Sequence, residues 1–182
     1  DIISTIGGKL RYVKSGAAGH TFQGIITADN GVTINYAVKV VAYPKRERYG
    51  GMNDVRRPEN AELMMIKLLS YFIVREQTPH IALPIGTFYT SITPFVNLIE
   101  EGFVDKDNKK YMEFVNRYKK KDYYDTVSIL ISEWANRGDF LEFLKQHYKE
   151  FSLLHWKVFF FQIISVLAVI QSKFPGFRHN DY

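Results

Sequence analysis

A run of small residues near the N-terminus is the first feature that could do chemistry. Gly16-Ala17-Ala18-Gly19 lies between two strand-like segments, and a backbone without bulky side chains can approach phosphate oxygens closely. The run opens no helix and is not followed by Gly-Lys-Ser/Thr, so we predict neither a Walker loop nor a dinucleotide-binding turn. Taken alone, such small residues are more commonly an ordinary hairpin turn.

A lysine on a strand and two glutamates on the following helix form a second candidate. Side chains alternate along a half-buried strand, so Ala37 and Lys39 share a face on which the small alanine leaves room for a flat ligand. An ammonium group in a cleft needs a counter-charge, which Glu62, or Glu59 one turn earlier, could supply. The alternative interpretation is a lysine at an exposed strand edge and two solvated acids.

The third candidate is the loop Phe177–Tyr182, which follows a long apolar helix and a Pro-Gly break. Asp181 could accept a hydroxyl proton there, and His179 could hold the loop through hydrogen bonds. A His-Asn-Asp loop without any role is the alternative. The other histidines show no ligand spacing beside paired acids, so we predict no metal site in this chain.

Periodicity and turn chemistry predict the elements that position these residues. Alternating runs separated by glycine predict three successive antiparallel strands, at Leu10–Val13, Thr21–Ala28 and Thr33–Val41. Arg57-Pro58-Glu59 predicts the start of a helix through Leu69. Beyond it we expect strands at Ile81–Tyr89 and Thr126–Ser132, a helix capped by Asp139, and a long buried helix at Trp156–Lys173. The most apolar stretch of that helix, Trp156–Ile170, is shorter than the roughly 20 residues of a bilayer span, so no transmembrane segment is expected.

Composition and charge limit the class of protein. The 182 residues include no cysteine, which excludes a disulfide framework and thiolate zinc sites and fits a reducing compartment, with the cytoplasm as the default. A net charge of +5 favours acidic or phosphorylated partners without requiring nucleic acid. Because the chain starts with Asp1 and shows no signal peptide, we expect it to be a piece of a longer protein.

The charged segment Glu100–Asp125 is predicted to be an insertion. Its lysines and arginine alternate with aromatic residues, a pattern that can bind nucleic acid or an anionic membrane surface. Seven acidic residues dilute that charge, so a solvated amphipathic hairpin or helix is favoured, and stable binding of nucleic acid is not expected. We keep the insertion as a possible docking element.

Together these pieces resemble the eukaryotic-type protein kinase family, from its small lobe to its catalytic loop. The resemblance rests on the order and spacing of three segments, Tyr36–Lys39, Ile129–Leu141 and Phe177–Asp181. It implies an α+β, protein-kinase-like fold, with an antiparallel β small lobe, one main helix and the beginning of a helical large lobe. The implied boundaries are 1–132 for the small lobe with its insertion at about 100–125, 133–138 for the hinge, and 139–182 for the start of the large lobe.

The resemblance also implies an ATP site. Asp181 would be the catalytic base, and Lys39, paired with Glu62, would hold the α and β phosphates. Glu59 is the alternative partner of Lys39. The other ATP-binding positions would be Gly16 and Gly19 over the phosphates, Val13, Thr21 and Ala37 around the adenine, Ser132 as gatekeeper, the backbone of Glu133, Trp134 and Ala135 at the hinge, and Asp139 at the ribose.

Three departures from the family pattern matter. Lys14 stands where the first glycine of the loop usually lies, and Asn180 replaces an arginine that often pairs with a phosphorylated activation loop, so regulation by such phosphorylation is not expected. The magnesium ligands of the family would lie beyond Tyr182, which makes the chain inactive as given. Such divergence suggests a large DNA virus or a protist as the source, and the cytoplasm of the host cell or the virion as the setting.

The function that this resemblance implies is transfer of the γ-phosphate of ATP, with Mg²⁺, to a protein hydroxyl, with serine or threonine as the expected acceptor. Two alternatives stay open. One is a kinase-like phosphotransferase that acts on small molecules, and the other is a catalytically inactive pseudokinase that serves as a scaffold.

Overall fold

The computed structural model describes residues 8–15 and 19–178, which form one sheet, four helices and two short 3-10 turns. The strands are β1 (Lys9–Ser15), β2 (His20–Thr27), β3 (Thr33–Pro44), β4 (Pro84–Ser91) and β5 (Tyr123–Glu133). The helices are α1 (Pro58–Val74), α2 (Lys109–Lys119), α3 (Phe140–His147) and α4 (Leu153–Lys173). All the predicted strands and helices are confirmed, with ends that shift by a few residues.

The five strands form an antiparallel sheet in the order β1-β2-β3-β5-β4. The three predicted sequential strands are confirmed, and the turn between β2 and β3 uses Gly31 at a φ of 79°. Gly24 is required for a different reason. A Cβ there would lie 2.1 Å from the ring of Tyr36, the residue paired with it on β3, so the tyrosine ring covers the bare backbone. The mixed architecture of sheet and helices is compatible with a kinase-like fold.

The chain forms two compact units. The first comprises the residues up to Met65 together with Pro84–Trp134, and therefore holds the whole sheet, α2 and the start of α1. The second comprises Ile66–Leu83 and the residues from Ala135 onward, and it holds α3 and α4.

Strand β3 separates two environments within the first unit. Tyr36, Val38 and Val40 belong to a cluster of buried residues on one face of the sheet, which we call the outer face. The intervening residues lie on the opposite face, toward α1, where the Tyr43 hydroxyl donates to Asn60 Oδ1 at 2.9 Å. Lys39 therefore lies on the face toward α1, which we call the inner face.

The predicted insertion covers the outer face of the sheet. Helix α2 is amphipathic as expected, but its apolar side is buried rather than solvated, because Tyr111, Phe114 and Val115 pack into the outer-face core. The residues before α2 add Ile92, Phe95, Val96, Leu98 and Val104 to the same core. The Tyr111 hydroxyl fixes this packing by donating to the carbonyl oxygen of Phe95 at 2.8 Å while it accepts from the backbone N–H of Leu98 at 3.0 Å.

Arg57 organises the loop that leads into α1. Its guanidinium is fully buried and donates to three backbone carbonyls, those of Pro44 at 2.9 Å, Gly51 at 2.9 Å and Gly50 at 3.1 Å. The rings of Tyr49 and Tyr124 lie 5.3 and 5.5 Å from its central carbon. Helix α1 then begins at Pro58, as predicted, so its start is tied to the end of β3.

The prediction of a long buried helix near the C-terminus is wrong in one respect. Helix α4 forms over 21 residues behind a Ser152–His155 capping box, but Ile170 is its single buried residue. Apolar residues on all sides of a helix can be buried only by partners on all sides, and α4 lacks these among the described residues. By length and composition α4 could also cross a membrane, contrary to the predicted shortfall in length, although core helices of soluble proteins pass the same test.

Candidate nucleotide-binding site

A salt bridge between Lys39 and Glu62 lies at the centre of the candidate site. The Lys39 ammonium donates to Glu62 Oε1, which joins the inner face of β3 to the second turn of α1. Glu59, the alternative partner, lies against Arg46 instead, with 3.5 Å between its Oε1 and the guanidinium. Both Lys39 and Glu62 remain partly exposed, so the pair is accessible to a ligand.

The strand register brings further predicted residues to the face that carries Lys39. Thr21 on β2 is paired with Lys39, and Ala37 on β3 is paired with Ser132 on β5. Paired residues in an antiparallel sheet point to the same side, so these four side chains share the inner face. The small side chains of Ala37 and Ser132 leave that face shallow next to the ammonium group.

The ends of β1 and β2 hold two more of the predicted residues. Val13 is the unpaired residue of a β-bulge between Tyr12 and Lys14, and its side chain is 43% exposed. A Cβ at Gly19 would lie 2.1 Å from the carbonyl oxygen of Val40, so the approach of β3 alone requires glycine there. Gly16 lies outside the described residues, and its predicted contact with phosphate stays a prediction.

The predicted hinge runs from the end of β5 into the second unit. Glu133 is the last residue of β5 and is paired with Tyr36, and Trp134 is the last residue of the first unit. Ala135 and Asp139 belong to the second unit. Asp139 caps α3, because its Oδ1 accepts from the backbone N–H of Glu142 at 2.9 Å, which gives this carboxylate a structural role besides the predicted contact with ribose.

The predicted catalytic loop cannot be placed in the same way. Asp181, His179 and Asn180 lie outside the described residues, so the role of Asp181 stays a prediction. Within residues 8–15 and 19–178, no group of three His, Asp or Glu side chains could hold a metal ion. The described residues thus offer an ammonium group beside a shallow face, without such a cluster of metal ligands among them.

A hydrogen-bonded chain on the outer face, at the ends of β1 and β2, was missed by sequence reasoning. Asn108 Nδ2 donates to the Tyr12 hydroxyl at 2.9 Å, that hydroxyl lies 2.5 Å from Ser15 Oγ, and Ser15 Oγ lies 2.8 Å from His20 Nδ1. This hydrogen-bonded chain links the insertion to the adjoining ends of β1 and β2. Asn108 could have been predicted as the cap of α2, but its contact with Tyr12 spans 96 residues and leaves no local signal.

His20 is a buried histidine at the start of β2. Its ring lies between the sheet and α2, with ring centroids 5.5 Å from Tyr111 and 4.4 Å from Phe114. Burial lowers the pKa of His20 from 6.5 to about 4, because the charged imidazolium would lose its hydration there. The ring is therefore neutral at physiological pH.

Three cavities lined by described residues do not include Lys39 or Glu62 in their lining. A cavity of about 390 Å³ in the second unit has an apolar lining that includes Leu69, Phe159 and Ile170. In the first unit, a cavity of about 300 Å³ is lined by His20, Arg46, Glu59 and residues of α2. A third, of about 340 Å³, is lined by Lys45, Tyr118, Lys119, Lys121, Tyr123 and Asp125.

Two curated relatives from Acanthamoeba polyphaga mimivirus are similar to the chain, whereas no family model matches it. One is named "Putative serine/threonine-protein kinase R400" and is 49% identical over 180 residues, which cover 97% of this chain and 38% of the relative. The other, "Uncharacterized protein R402", is 24% identical over 189 aligned positions, or 95% of this chain and 20% of the relative. The chain thus spans well under half the length of either relative.

These comparisons support the prediction, made from the sequence, of a divergent kinase-like family. A relative at 49% identity that carries a kinase name supports a divergent, kinase-like family with a viral member, and it supports a kinase function. A viral relative also indicates a host cell or a virion as the setting.

Proposed function

We propose that this chain is the nucleotide-binding part of an ATP-dependent protein kinase that acts on serine or threonine. The observation that carries the proposal is the salt bridge between Lys39 on β3 and Glu62 on α1. An exposed surface lysine would gain little from one carboxylate, but this pair lies on the face that also presents Ala37 and Ser132. The mimivirus relative with a kinase name supports the same conclusion.

The proposed mechanism assigns each described residue a positioning role. Lys39 binds the α and β phosphates, and Glu62 holds the ammonium in place so that its donors point at the phosphate oxygens. Ala37 and Val13 pack against the adenine, and the backbone of residues 133–135 forms hydrogen bonds with the edge of the adenine. Thr21 makes one side of this pocket more polar, Gly19 lies at the phosphates, and Asp139 reaches the ribose.

Transfer itself would use Asp181. The carboxylate accepts the proton of the acceptor hydroxyl as that oxygen bonds to the γ-phosphorus, and the bond from the γ-phosphorus to the bridging oxygen breaks to leave ADP. Mg²⁺, when bound, would neutralise the charge that develops on the phosphates. Positioning and charge neutralisation supply most of the rate enhancement in this reaction class.

The proposed partner is a protein substrate in the host cytoplasm or in the virion, and the insertion offers a surface for its acidic part. Lys45, Lys119 and Lys121 surround the cavity of about 340 Å³ against one acid, Asp125. Tyr111, Phe114 and Tyr123 of this region are buried, which disfavours stacking with nucleic-acid bases. A Glu-rich peptide should bind less tightly to Lys119→Gln/Lys121→Asn than to Lys106→Gln/Lys109→Gln, and equal affinities would contradict this docking site.

The test of the kinase proposal is phosphate transfer by the full-length protein, with radiolabelled ATP and a generic protein substrate. Lys39→Met and Asp181→Asn should each lower the rate by about a hundredfold or more, because a positioned charge contributes that much to the barrier. Lys67→Met, at an exposed position of α1, is the matched control and should retain full activity.

Other outcomes separate the alternatives. A wild-type protein that binds ATP without transferring phosphate to proteins or small molecules would be a pseudokinase. Transfer to small-molecule hydroxyls alone would indicate a small-molecule phosphotransferase. Full activity of Lys39→Met would contradict the assignment of this lysine.

A further inference from the structure

We propose that the insertion positions the nucleotide site through the chain Asn108–Tyr12–Ser15–His20, an inference that rests on the proposed function. These residues touch no reacting group, and they belong to the opposite side of the sheet from Lys39. They are positioning residues, and their contribution would be to hold the ends of β1 and β2 where Val13, Gly19 and Thr21 face the ligand.

The direction of the hydrogen bonds follows from donor and acceptor inventories. Asn108 Oδ1 accepts from the backbone N–H of Tyr111 at 3.0 Å as the cap of α2, so its Nδ2 faces Tyr12 and can only donate. The arrangement that gives each hydroxyl hydrogen an acceptor then has Tyr12 donating to Ser15, and Ser15 donating to His20 Nδ1. The chain runs in one direction, in which neighbouring bonds strengthen one another.

The low pKa of His20 keeps the last member of this chain in the required state. Its neutral ring offers Nδ1 as an acceptor throughout the physiological range. Ring contacts with Tyr111 and Phe114 of α2 hold the imidazole in place, and the ring of Tyr12 packs edge-on against Phe22 at 5.6 Å between centroids. Both hydrogen bonds and packing therefore join α2 to the two strands.

The connection to the nucleotide side follows from strand geometry. Ser15 is paired with His20, and these residues end β1 and begin β2. Side chains alternate along β2, so fixing His20 on the outer face also fixes Thr21 on the inner face. Tyr12 and Ser15 lie on either side of the bulge at Val13, so holding them also holds the bulge. Thr21 is in turn paired with Lys39, the proposed phosphate-binding lysine. The hydrogen-bonded chain, which ends at His20, is therefore next in sequence to the strand partner of Lys39.

The experiment measures the affinity of the full-length protein for a fluorescent ATP analogue, together with its thermal midpoint. Asn108→Asp keeps an oxygen to cap α2 but removes the donor to Tyr12, and Ser15→Ala removes the central hydroxyl. Both should weaken nucleotide binding by about three- to tenfold. Ser15→Thr restores the hydroxyl and should restore the affinity. Ser91→Ala, which loses a comparable hydroxyl contact to Thr93 at 3.0 Å, is the control and should bind like the wild type.

Steady-state kinetics add a readout that a purely structural role would not move. We expect the hydrogen-bonded chain to position the nucleotide and not the acceptor. The KM for ATP should therefore rise in Asn108→Asp and Ser15→Ala while kcat changes less than twofold. Wild-type affinity in both variants would overturn the inference, as would a loss in Ser15→Ala that Ser15→Thr fails to rescue. A wild-type protein that binds no nucleotide would instead refute the proposed function, so the two failures are distinguishable.

Discussion

The extent of burial of helices α2 and α4 is the opposite of what their amino-acid compositions alone would suggest. Helix α2 is rich in lysine, yet Tyr111, Phe114 and Val115 lie in the outer-face core. Helix α4 is the most apolar segment, yet its buried residue is Ile170 alone. The apolar residues of α2 recur at helical spacing and form one stripe, which a single sheet face can bury. Burial therefore follows the arrangement of apolar residues and the partners available, more than their number.

Two phenylalanines provide the largest expected difference between these helices. Phe114 on α2 is 5% exposed, whereas Phe161 on α4 is 71% exposed. Phe114→Ala should lower the free energy of unfolding by about 3–4 kcal/mol, because it leaves a cavity in the outer-face core. Phe161→Ala should change it by less than about 1 kcal/mol. Chemical denaturation of both variants measures the difference, and equal effects would contradict the contrast.

Adjacent arginines extend the comparison to charged residues. Arg57 is fully buried against three carbonyls, whereas the side chain of Arg56 is 69% exposed and pairs with Asp54. Arg57→Met should lower the free energy of unfolding by about 3 kcal/mol, because three backbone carbonyls, one of them in a buried bond, lose a charged donor. Arg56→Met should be indistinguishable from the wild type in the same denaturation experiment. If Arg57→Met were equally stable, the guanidinium would not organise the loop before α1.

Acid should weaken the packing of α2 on the sheet through His20. The pKa of His20 is lowered to about 4 by burial, so between pH 6.5 and 4 the unfolded chain binds a proton that the folded chain does not. Stability is therefore full above pH 6.5 and falls as the pH decreases toward 4. Acidification to pH 4.5 should cost about 2 kcal/mol through this group.

The variant His20→Phe isolates that contribution, because it keeps an aromatic ring against α2 and cannot titrate. Its loss of stability between pH 7 and pH 4.5, measured by denaturation at both values, should be smaller than that of the wild type by the same amount. Identical pH profiles for the two proteins would show that His20 is not held neutral by its surroundings.

Local signals in the sequence predicted much of the fold and part of the site. Pro58 marks the start of α1, Asp139 caps α3, and the alternation along β3 places Ala37 and Lys39 on one face, as expected. The sequence offered two partners for Lys39, Glu62 and, as the alternative, Glu59, and in the structure Lys39 pairs with Glu62. Apart from that salt bridge, which joins residues 23 positions apart, these features depend on residues within a few positions of one another.

The remaining features depend on contacts between distant segments. The hydrogen bond between Asn108 and Tyr12 and the burial of α2 on β2 and β3 depend on how the fold brings these segments together. The sequence indicated an amphipathic hairpin or helix in the insertion, but one exposed to solvent. Its partner surface could not be predicted, because the outer residues of β3 are buried only when α2 covers them.

The nucleotide site is tested most directly by the affinity of the full-length protein for ATP, measured by calorimetry for the wild type, Lys39→Met and Lys67→Met. We predict that the wild type and Lys67→Met bind ATP with equal affinity, and that Lys39→Met binds it at least about tenfold more weakly. Equal affinity of Lys39→Met and the wild type would contradict the claim that the inner face of β3, with its Lys39–Glu62 salt bridge, is the nucleotide site.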